Sequence, residues 1–298
     1  CSTPDNFAVA DKKTVKIIHD YSREYAMSDM YFQPSAGASS QNDMYLARGS
    51  YVFTDNRKNA LGSVGSNCWY NYHFLLDESQ LYYDPTISSL LSHCNFTLRT
   101  YTEGYTIAKN NFTGNPCYPD GYDSGDIPFN YYAGIEDDEN FITDYLEFQN
   151  DIRNKTLPEV SFIKPLGNRT AHPTMGDISS EMKFVKETVD MVLGSDYKDD
   201  TLILYVPDES GGYYDHVPTP KTNIVDNIPY GARIPFIAIG KFAKKNYISH
   251  TVMEHSSIIK FIEWNWLSGE TGQLNTRDRN VNGIGDLIDP VAAGTIIP

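Results

Sequence analysis

A short hydrophobic stretch that ends in acidic residues constrains the fold of this chain more than any other feature. Residues 201–206 are all β-branched, aliphatic or aromatic, a pattern typical of a strand buried in a parallel sheet. Asp208 and Glu209 follow almost directly. Ligands of open α/β sheets bind beyond the carboxyl ends of the strands, and adjacent carboxylates repel each other unless a cation or a proton lies between them. The stretch therefore predicts a metal site at a strand end, with an exposed polar turn as the alternative.

Helical and strand-like patterns alternate along the chain. The expected helices lie at about residues 13–27, 42–48, 86–91, 141–153, 179–193 and 253–266, and the expected strands at 30–32, 96–101, 160–163, 202–206 and 234–239. Such alternation predicts an α/β fold with a mostly parallel central sheet flanked by helices. Residues 62–140 are rich in Gly, Asn, Tyr, Asp and Pro, which predicts an irregular insertion over the active face of a single domain. Residues after 268 lack periodicity and are expected to wrap the surface.

Charge and hydropathy exclude two classes of partner. The formal net charge is −15 over 298 residues, whereas binding to a phosphate backbone requires a basic face. The same charge argues against adsorption to anionic membranes. No apolar run approaches the length of a membrane-spanning helix. We therefore expect no nucleic-acid partner and no stable membrane insertion.

Cysteines and glycosylation signals indicate secretion. An even number of cysteines is compatible with two disulfides in any of three pairings, and N-x-[ST] sequons are typical of secreted proteins. The cysteines are Cys1, Cys68, Cys94 and Cys117, and the sequons begin at Asn95, Asn111, Asn154 and Asn168. The chain starts at Cys1 without an initiator Met, which indicates a mature or cleaved product. An extracellular or secretory location is expected.

Polar side chains follow three of the predicted strands. A loop of small residues with Ser39 and Ser40 follows residues 30–32, His172 follows 160–163, and the Asp208 pair follows 202–206. The carboxyl ends of parallel strands share one edge of a sheet, so these groups should converge there. A serine hydroxyl is a nucleophile and a histidine can protonate a leaving group. The alternatives are a serine that caps a helix and a histidine bonded to a backbone carbonyl.

Two further histidines have weaker functional signals. His216 is an orienting or a core residue, and His255, inside the last long helix, is more typical of a structural position.

Several segments resemble one known family. Residues 208–218 are similar to the D-[DE]-x-G-G-[FY]-[FY]-D-H-V-P segment of bacterial phosphatidylcholine-type phospholipases C and their acid phosphatase relatives. These proteins form the phosphoesterase branch of the alkaline phosphatase superfamily. The resemblance extends to a G-x-R-[VI]-P segment, to [DE]-H-[TS]-S-[IV]-[IL]-[RK]-F-I-E, to the stretch after the first helix, and to a strand with a following His-Pro. Those segments are residues 231–235, 254–263, 25–49, 157–163 and 172–173.

The resemblance implies an alkaline phosphatase-like fold and a role for each matching residue. Ser39 stands at the position of the Ser or Thr nucleophile, which is also a metal ligand in the family. Asn42 matches the asparagine that contacts the phosphate, and His172 matches a histidine of the phosphate pocket. Asp208 and Glu209 match the carboxylates that bind one or more divalent metal ions.

The chain departs from the family pattern at three places. Gln41 and Asp43 flank Asn42, where the family has Pro and Arg, and an acidic residue there weakens an anion site unless it turns away. Gly125-Asp126 replaces a His-His pair of acid phosphatase relatives. The family also opens with a strand ending in Glu-Asn, which supplies two more metal ligands. The domain of residues 1–298 is therefore expected to lack its N-terminal strand, and the pair is expected on a companion chain or else missing.

The sequence thus predicts metal-dependent hydrolysis of phosphoric esters through a serine nucleophile. Small phosphomonoesters are favoured, because no amphipathic helix suited to membrane docking is evident. The alternatives are phospholipase C-type cleavage of a phosphodiester and a catalytically inactive binding or structural glycoprotein on the same fold.

Overall fold

Helices alternate with strands through the described part of the chain. The computed structural model describes residues 4–51, 83–110, 121–135 and 138–298. The helices in these ranges are α1 (Lys16–Glu24), α2 (Ser39–Arg48), α3 (Ile87–His93), α4 (Tyr105–Lys109), α5 (Tyr145–Asn154), α6 (Ile178–Leu193), α7 (His255–Trp266) and α8 (Pro290–Ala293). The strands are β1 (Ala26–Ser28), β2 (Leu98–Thr102), β3 (Ile142–Asp144), β4 (Val160–Lys164), β5 (Ile203–Tyr205), β6 (Phe236–Ile239) and β7 (Tyr247–Ser249). The α/β class is confirmed.

A four-stranded sheet carries the centre of the hydrophobic core. Its order is β5-β6-β1-β7, with β7 parallel to β1 and β6 antiparallel to both of its neighbours. Strands β1 and β5 therefore run in the same direction, on either side of β6. Every residue of β6 is buried, which explains its uninterrupted apolar sequence. Because β1 and β5 share a direction, the segments that follow them emerge at the same edge of the sheet.

A second sheet has three parallel strands in the order β3-β2-β4. Its central strand β2 lies within residues 62–140, where an irregular insertion was predicted. Thr102 at the end of β2 pairs with Asp144 on one side and Lys164 on the other. The described part of that region also contains α3 and α4. It therefore contributes a strand and two helices to the fold, while residues 52–82 and 111–120 lie outside the described residues.

Short elements account for most differences from the predicted boundaries. Strand β1 ends before Met30, and Tyr31 and Phe32 form only isolated bridges. Helix α2 begins three residues earlier than predicted. The predicted helix at 141–153 begins with a strand, β3, and β7 forms where only a polar stretch was expected. A strand of three residues is too short to show an alternating pattern, so periodicity does not reveal it.

The described residues are consistent with exposed glycosylation sites. Asn95, Asn154 and Asn168 are all exposed, and Cys94 has an exposed free thiol. The free thiol of Cys94 leaves three cysteines and so does not agree with the two predicted disulfides. Those three cysteines and Asn111 lie outside the described residues, so one disulfide among them and the glycans stay predictions. No helix within the described ranges is long and apolar enough to cross a bilayer.

The segment after residue 268 is not a surface wrap, because part of it is deeply buried. Glu263 of α7 accepts hydrogen bonds from the backbone N–H groups of Gly272 (2.8 Å) and Gln273 (3.0 Å). Asp278 accepts from the backbone N–H groups of Leu274 and Thr276. Both carboxyl groups are fully buried. Burial, together with the charge of Asp278, raises the pKa of Glu263 to about 8.

Glu263 should make folding stability fall as pH rises towards the alkaline range. The side chain ionises near pH 4.5 in the unfolded chain and near 8 in the folded one, so between these values only the folded state keeps the proton. Stability is then lost by up to about 1.4 kcal/mol per pH unit. We expect Glu263→Gln to flatten this decline, measured by urea unfolding between about pH 5 and pH 8. The exposed Glu270→Gln is the matched control, and an unchanged slope in Glu263→Gln would contradict the assignment.

Candidate active site

Ser39 occupies the first turn of α2, at the edge of the four-stranded sheet where β1 and β5 end. The N-cap residue is Ala38, which makes no side-chain capping bond, so Ser39 is not the helix cap that the alternative predicted. No hydrogen bond to the Ser39 hydroxyl is formed within the described residues, and the side chain is half-buried. Backbone N–H groups of a first helical turn lack intrahelical partners and favour an anion. The hydroxyl therefore stands where a negatively charged group would be held.

Asn42 is fully buried and fastens the loop that precedes Ser39. Its side-chain oxygen accepts from the backbone N–H of Ser35 (2.9 Å), and its amide nitrogen donates to the carbonyls of Gly37 and Ala38 (3.1 Å each). A Cβ at position 37 would lie 1.6 Å from the side-chain oxygen of Gln41, so a larger residue there would displace the Gln41 side chain. The amide of Asn42 thus positions the loop, and its contact with a phosphate stays a prediction.

Asp208 and Glu209 follow β5, as predicted, and a buried histidine contacts the backbone of Asp208. His255 is fully buried and bonds through Nε2 to the carbonyl of Asp208 (2.8 Å) and through Nδ1 to the hydroxyl of Tyr31 (2.9 Å). Burial lowers the pKa of His255 to about 4, so the ring is neutral at pH 7. This contact supports the structural role that the sequence favoured for His255.

The Glu209 side chain folds over a tight glycine turn. Its carboxylate accepts from the backbone N–H of Gly211 (2.8 Å). Gly211 and Gly212 have φ angles of 67° and 75°, a region in which other residues are strained. Burial and the adjacent charge of Asp208 raise the pKa of Glu209, as expected for two carboxylates that share one site.

His172 lies close to this carboxylate pair. The ring lies within electrostatic range of both Glu209 and Asp123. The backbone N–H of Thr174 donates to Nδ1 at 3.4 Å, so the proton of the neutral ring belongs on Nε2. In that tautomer His172 can donate a hydrogen bond to an oxygen atom of a ligand. His216, in contrast, is exposed, and its neighbour Asp215 forms an ion pair with Arg233 (2.9 Å).

Asp43 belongs to the same cluster and was not predicted as a site residue. It lies one helical turn after Ser39, on the same face of α2. The side chain is only 5% exposed, and its Oδ2 has no hydrogen-bond partner among the described residues. Burial and the charge of Asp208 raise the pKa of Asp43 well above its usual value. The residue has therefore turned towards the predicted metal carboxylates rather than away from them.

Lys164 is the second residue that sequence reasoning missed. It ends β4, and its ammonium group lies 2.8 Å from Oδ2 of Asp126. Burial disfavours the charged ammonium, but Asp126, Asp43 and Asp208 together raise the pKa of Lys164. The lysine therefore stays protonated. The only signal in the sequence was a lysine that directly follows an apolar strand.

The chemistry of the cluster fits a cation, although its ligand set is incomplete. Within the described ranges no three His, Cys, Asp or Glu side chains converge at metal-binding distance. Several carboxylates nevertheless face one lysine and one histidine, and a buried carboxylate oxygen of Asp43 lacks a partner. Carboxylate oxygens are the ligands that hard divalent cations prefer. A divalent ion at Asp208 and Glu209 would balance this excess negative charge.

Most of the chain is similar to proteins of one known family. A model described as "Phosphoesterase family" matches residues 6–267. A non-hemolytic phospholipase C of Pseudomonas aeruginosa is 22% identical over 278 residues, which cover 80% of this chain and 37% of that protein. An acid phosphatase of Aspergillus fumigatus is 27% identical over 188 residues, covering 61% and 39%.

One solved structure is similar in fold. The crystal structure of Ps i-CgsB matches with a TM-score of 0.52 and 12% sequence identity, covering 91% of this chain and 69% of that chain. This chain covers well under half the length of the curated relatives it resembles, 19% of a hemolytic phospholipase C of Pseudomonas aeruginosa and 39% of the Aspergillus fumigatus acid phosphatase.

Proposed function

Because the chain belongs to the phosphoesterase family, we propose that it hydrolyses phosphoric esters and that Ser39 is the nucleophile. The observation that carries this proposal is the common direction of β1 and β5. It brings the helix that begins at Ser39 to the sheet edge where Asp208 and Glu209 stand, and Asp43 of that helix lies within electrostatic range of Asp208. A hydroxyl beside an anion-binding helix start and a carboxylate pair is suited to attack on phosphorus.

The residues of the candidate site would each have a distinct role in this reaction. A divalent ion held by Asp208, Glu209 and Ser39 would supply Lewis-acid stabilisation and lower the pKa of the hydroxyl when bound. Asn42 holds the Ser39 loop in place, and the first N–H groups of α2 favour the phosphoryl oxygens. His172 donates from Nε2 to a phosphoryl or leaving oxygen. Attack by Ser39 releases the alcohol, and water then hydrolyses the phosphoserine.

Phosphomonoesters are the favoured substrates, and phosphodiesters are the second candidate. The names of the relatives, acid phosphatase and phospholipase C, support either class. The acidic net charge favours a small soluble substrate over an anionic lipid surface. We also propose an extracellular location, and a companion segment with the Glu-Asn pair that the family resemblance implies. The inactive binding protein remains the alternative outcome.

The assay compares p-nitrophenyl phosphate, a monoester, with p-nitrophenylphosphorylcholine, a diester, under identical conditions. We expect faster release of p-nitrophenol from the monoester, its loss after chelation and its recovery when Mn²⁺, Zn²⁺, Ca²⁺ or Mg²⁺ is restored. Faster release from the diester would favour the phospholipase C reading. A folded protein that hydrolyses neither ester with any metal would support the binding protein and refute the enzyme.

A further inference from the structure

The side chain of Gln33 joins the two loops that carry the candidate site, and the proposed reaction gives it no role. Its amide nitrogen donates to the carbonyl of Ser35 (2.7 Å), in the loop before Ser39. Its amide oxygen accepts from the backbone N–H of Ser210 (2.9 Å), the residue after Glu209. The two loops lie far apart in the sequence, and this side chain connects them directly.

Gln33 is itself fixed to the segment that leads into β6. It is only 4% exposed. Its backbone N–H donates to the carbonyl of Ala232 (3.1 Å), and its carbonyl accepts from the backbone N–H of Gly231 (3.0 Å). Because β6 lies between β1 and β5, Gln33 stands between the two loops that follow those strands. The backbone and the side chain are both hydrogen-bonded on two sides, which leaves the amide little freedom to move.

Asn42 holds the same loop from the side of α2. Its side-chain oxygen accepts from the backbone N–H of Ser35 (2.9 Å), whereas Gln33 binds the carbonyl of that residue. A continuous set of hydrogen bonds therefore runs from Ser210 through Gln33 and Ser35 to Asn42. It starts at the residue after the carboxylate pair and ends in the helix that begins with the proposed nucleophile.

A neutral amide is suited to this position because it offers a donor and an acceptor at the same time. A carboxylate could only accept and an ammonium group could only donate, and either would bring a charge into a buried place. Gly231 leaves the room that the amide needs, since a Cβ there would lie 2.3 Å from the Cδ of Gln33. The bridge thus depends on both residues.

We propose that Gln33 is a positioning residue that holds the proposed nucleophile in place relative to the Asp208 pair. The inference rests on the proposed function, because it concerns the same site. Misplacement of a reacting group by about 1 Å can lower a rate by about 10²-fold. Loss of the bridge should therefore slow the chemical step, while the N–H groups of α2 that favour the phosphoryl oxygens are not removed.

The test compares the parent protein with Gln33→Met, which keeps the length of the side chain and removes both of its hydrogen bonds. We expect kcat for p-nitrophenyl phosphate to fall by at least about 30-fold, with KM within about threefold of the parent value. The backbone N–H of Ser210 loses its acceptor, so its hydrogen exchange should become about tenfold faster. Mass spectrometry of a peptide covering residues 208–214 measures this exchange, and circular dichroism checks the fold.

Two further variants make the result specific. Gly231→Ala keeps Gln33 in the chain but displaces its amide, so it should change kcat and exchange in the same direction. Thr188→Val is the matched control, because it also removes a buried hydrogen bond, with the hydroxyl of Tyr145 (2.9 Å), but one that joins α6 to α5. This control should keep both kcat and the exchange of the Ser210 N–H within about threefold of the parent values.

The outcomes separate this inference from the proposed function. If folded Gln33→Met keeps kcat within about threefold of the Thr188→Val value, Gln33 is not a positioning residue, while the proposed phosphoesterase stands. If the parent protein hydrolyses neither ester, the proposed function fails and the exchange decides the inference. Faster exchange of the Ser210 N–H in both Gln33→Met and Gly231→Ala then supports the link between the loops, and unchanged exchange refutes it. If Gln33→Met does not fold, Gly231→Ala decides by the same two measurements.

Discussion

Replacing Ser39 by alanine is expected to lower kcat for p-nitrophenyl phosphate by at least about 10³-fold, because the attacking oxygen is removed. The fold should be unaffected, since Ala38 rather than Ser39 caps α2 and the Ser39 hydroxyl has no hydrogen bond within the described residues. Steady-state rates with restored metal and unchanged circular dichroism together check this expectation.

The neighbouring Ser40 is the matched control for this variant. Ser40 interacts with the hydroxyl of Tyr131, which in turn donates to the carbonyl of Gly125 (2.6 Å). We expect Ser40→Ala to keep most of the activity. Equal activity of Ser39→Ala and the parent protein would refute the nucleophile assignment, and a collapse of activity in Ser40→Ala alone would transfer that role to Ser40.

Replacing Arg277 by methionine should lower the free energy of unfolding by about 3–5 kcal/mol, because it leaves a buried negative charge without its partner. Arg277 is fully buried and forms two hydrogen bonds with the carboxylate of Asp226 (2.8 and 3.0 Å). It also donates to the carbonyl of Pro34 (2.8 Å), just before the Ser39 loop. Its guanidinium group lies over the rings of Tyr45 (4.6 Å) and Tyr230 (4.8 Å).

Urea unfolding followed by circular dichroism measures this loss. Arg279→Met, two residues further on at an exposed position, should change stability by less than about 0.5 kcal/mol. If both variants unfold at the same urea concentration, Arg277 does not hold the Ser39 loop against the C-terminal segment.

Long elements could be predicted from the sequence because their apolar spacing is regular. Helices α6 and α7 lie within two residues of the expected boundaries, and β4 and β5 within one. Strands β3 and β7 could not be found, since their three residues show no period and, unlike those of β5, do not lie in a longer apolar run. The C-terminal segment was misjudged for a different reason. Its buried residues include Arg277 and Asp278, which are buried by ion pairing and hydrogen bonding rather than by hydrophobicity.

The candidate site divides in the same way. Ser39, His172 and the Asp208 pair could be named as candidates because polar residues that follow predicted strands are visible in the sequence, and their roles stay predictions. Asp43 and Lys164 could not be found, because their importance depends on which charges approach them in the folded chain. A carboxylate inside a helix and a lysine after a strand are unremarkable until the burial of one and the ion pair of the other are known.

The position of β6 between β1 and β5 also has a consequence for the folding kinetics. Met27 of β1 pairs with Ile237 of β6, and these segments lie roughly 200 residues apart in the sequence. Contacts between such distant segments are slow to form, and the sheet edge at the candidate site depends on them. The second sheet, whose strands lie nearer in sequence, can form first. During refolding, hydrolytic activity should therefore return later than most of the helical circular dichroism signal.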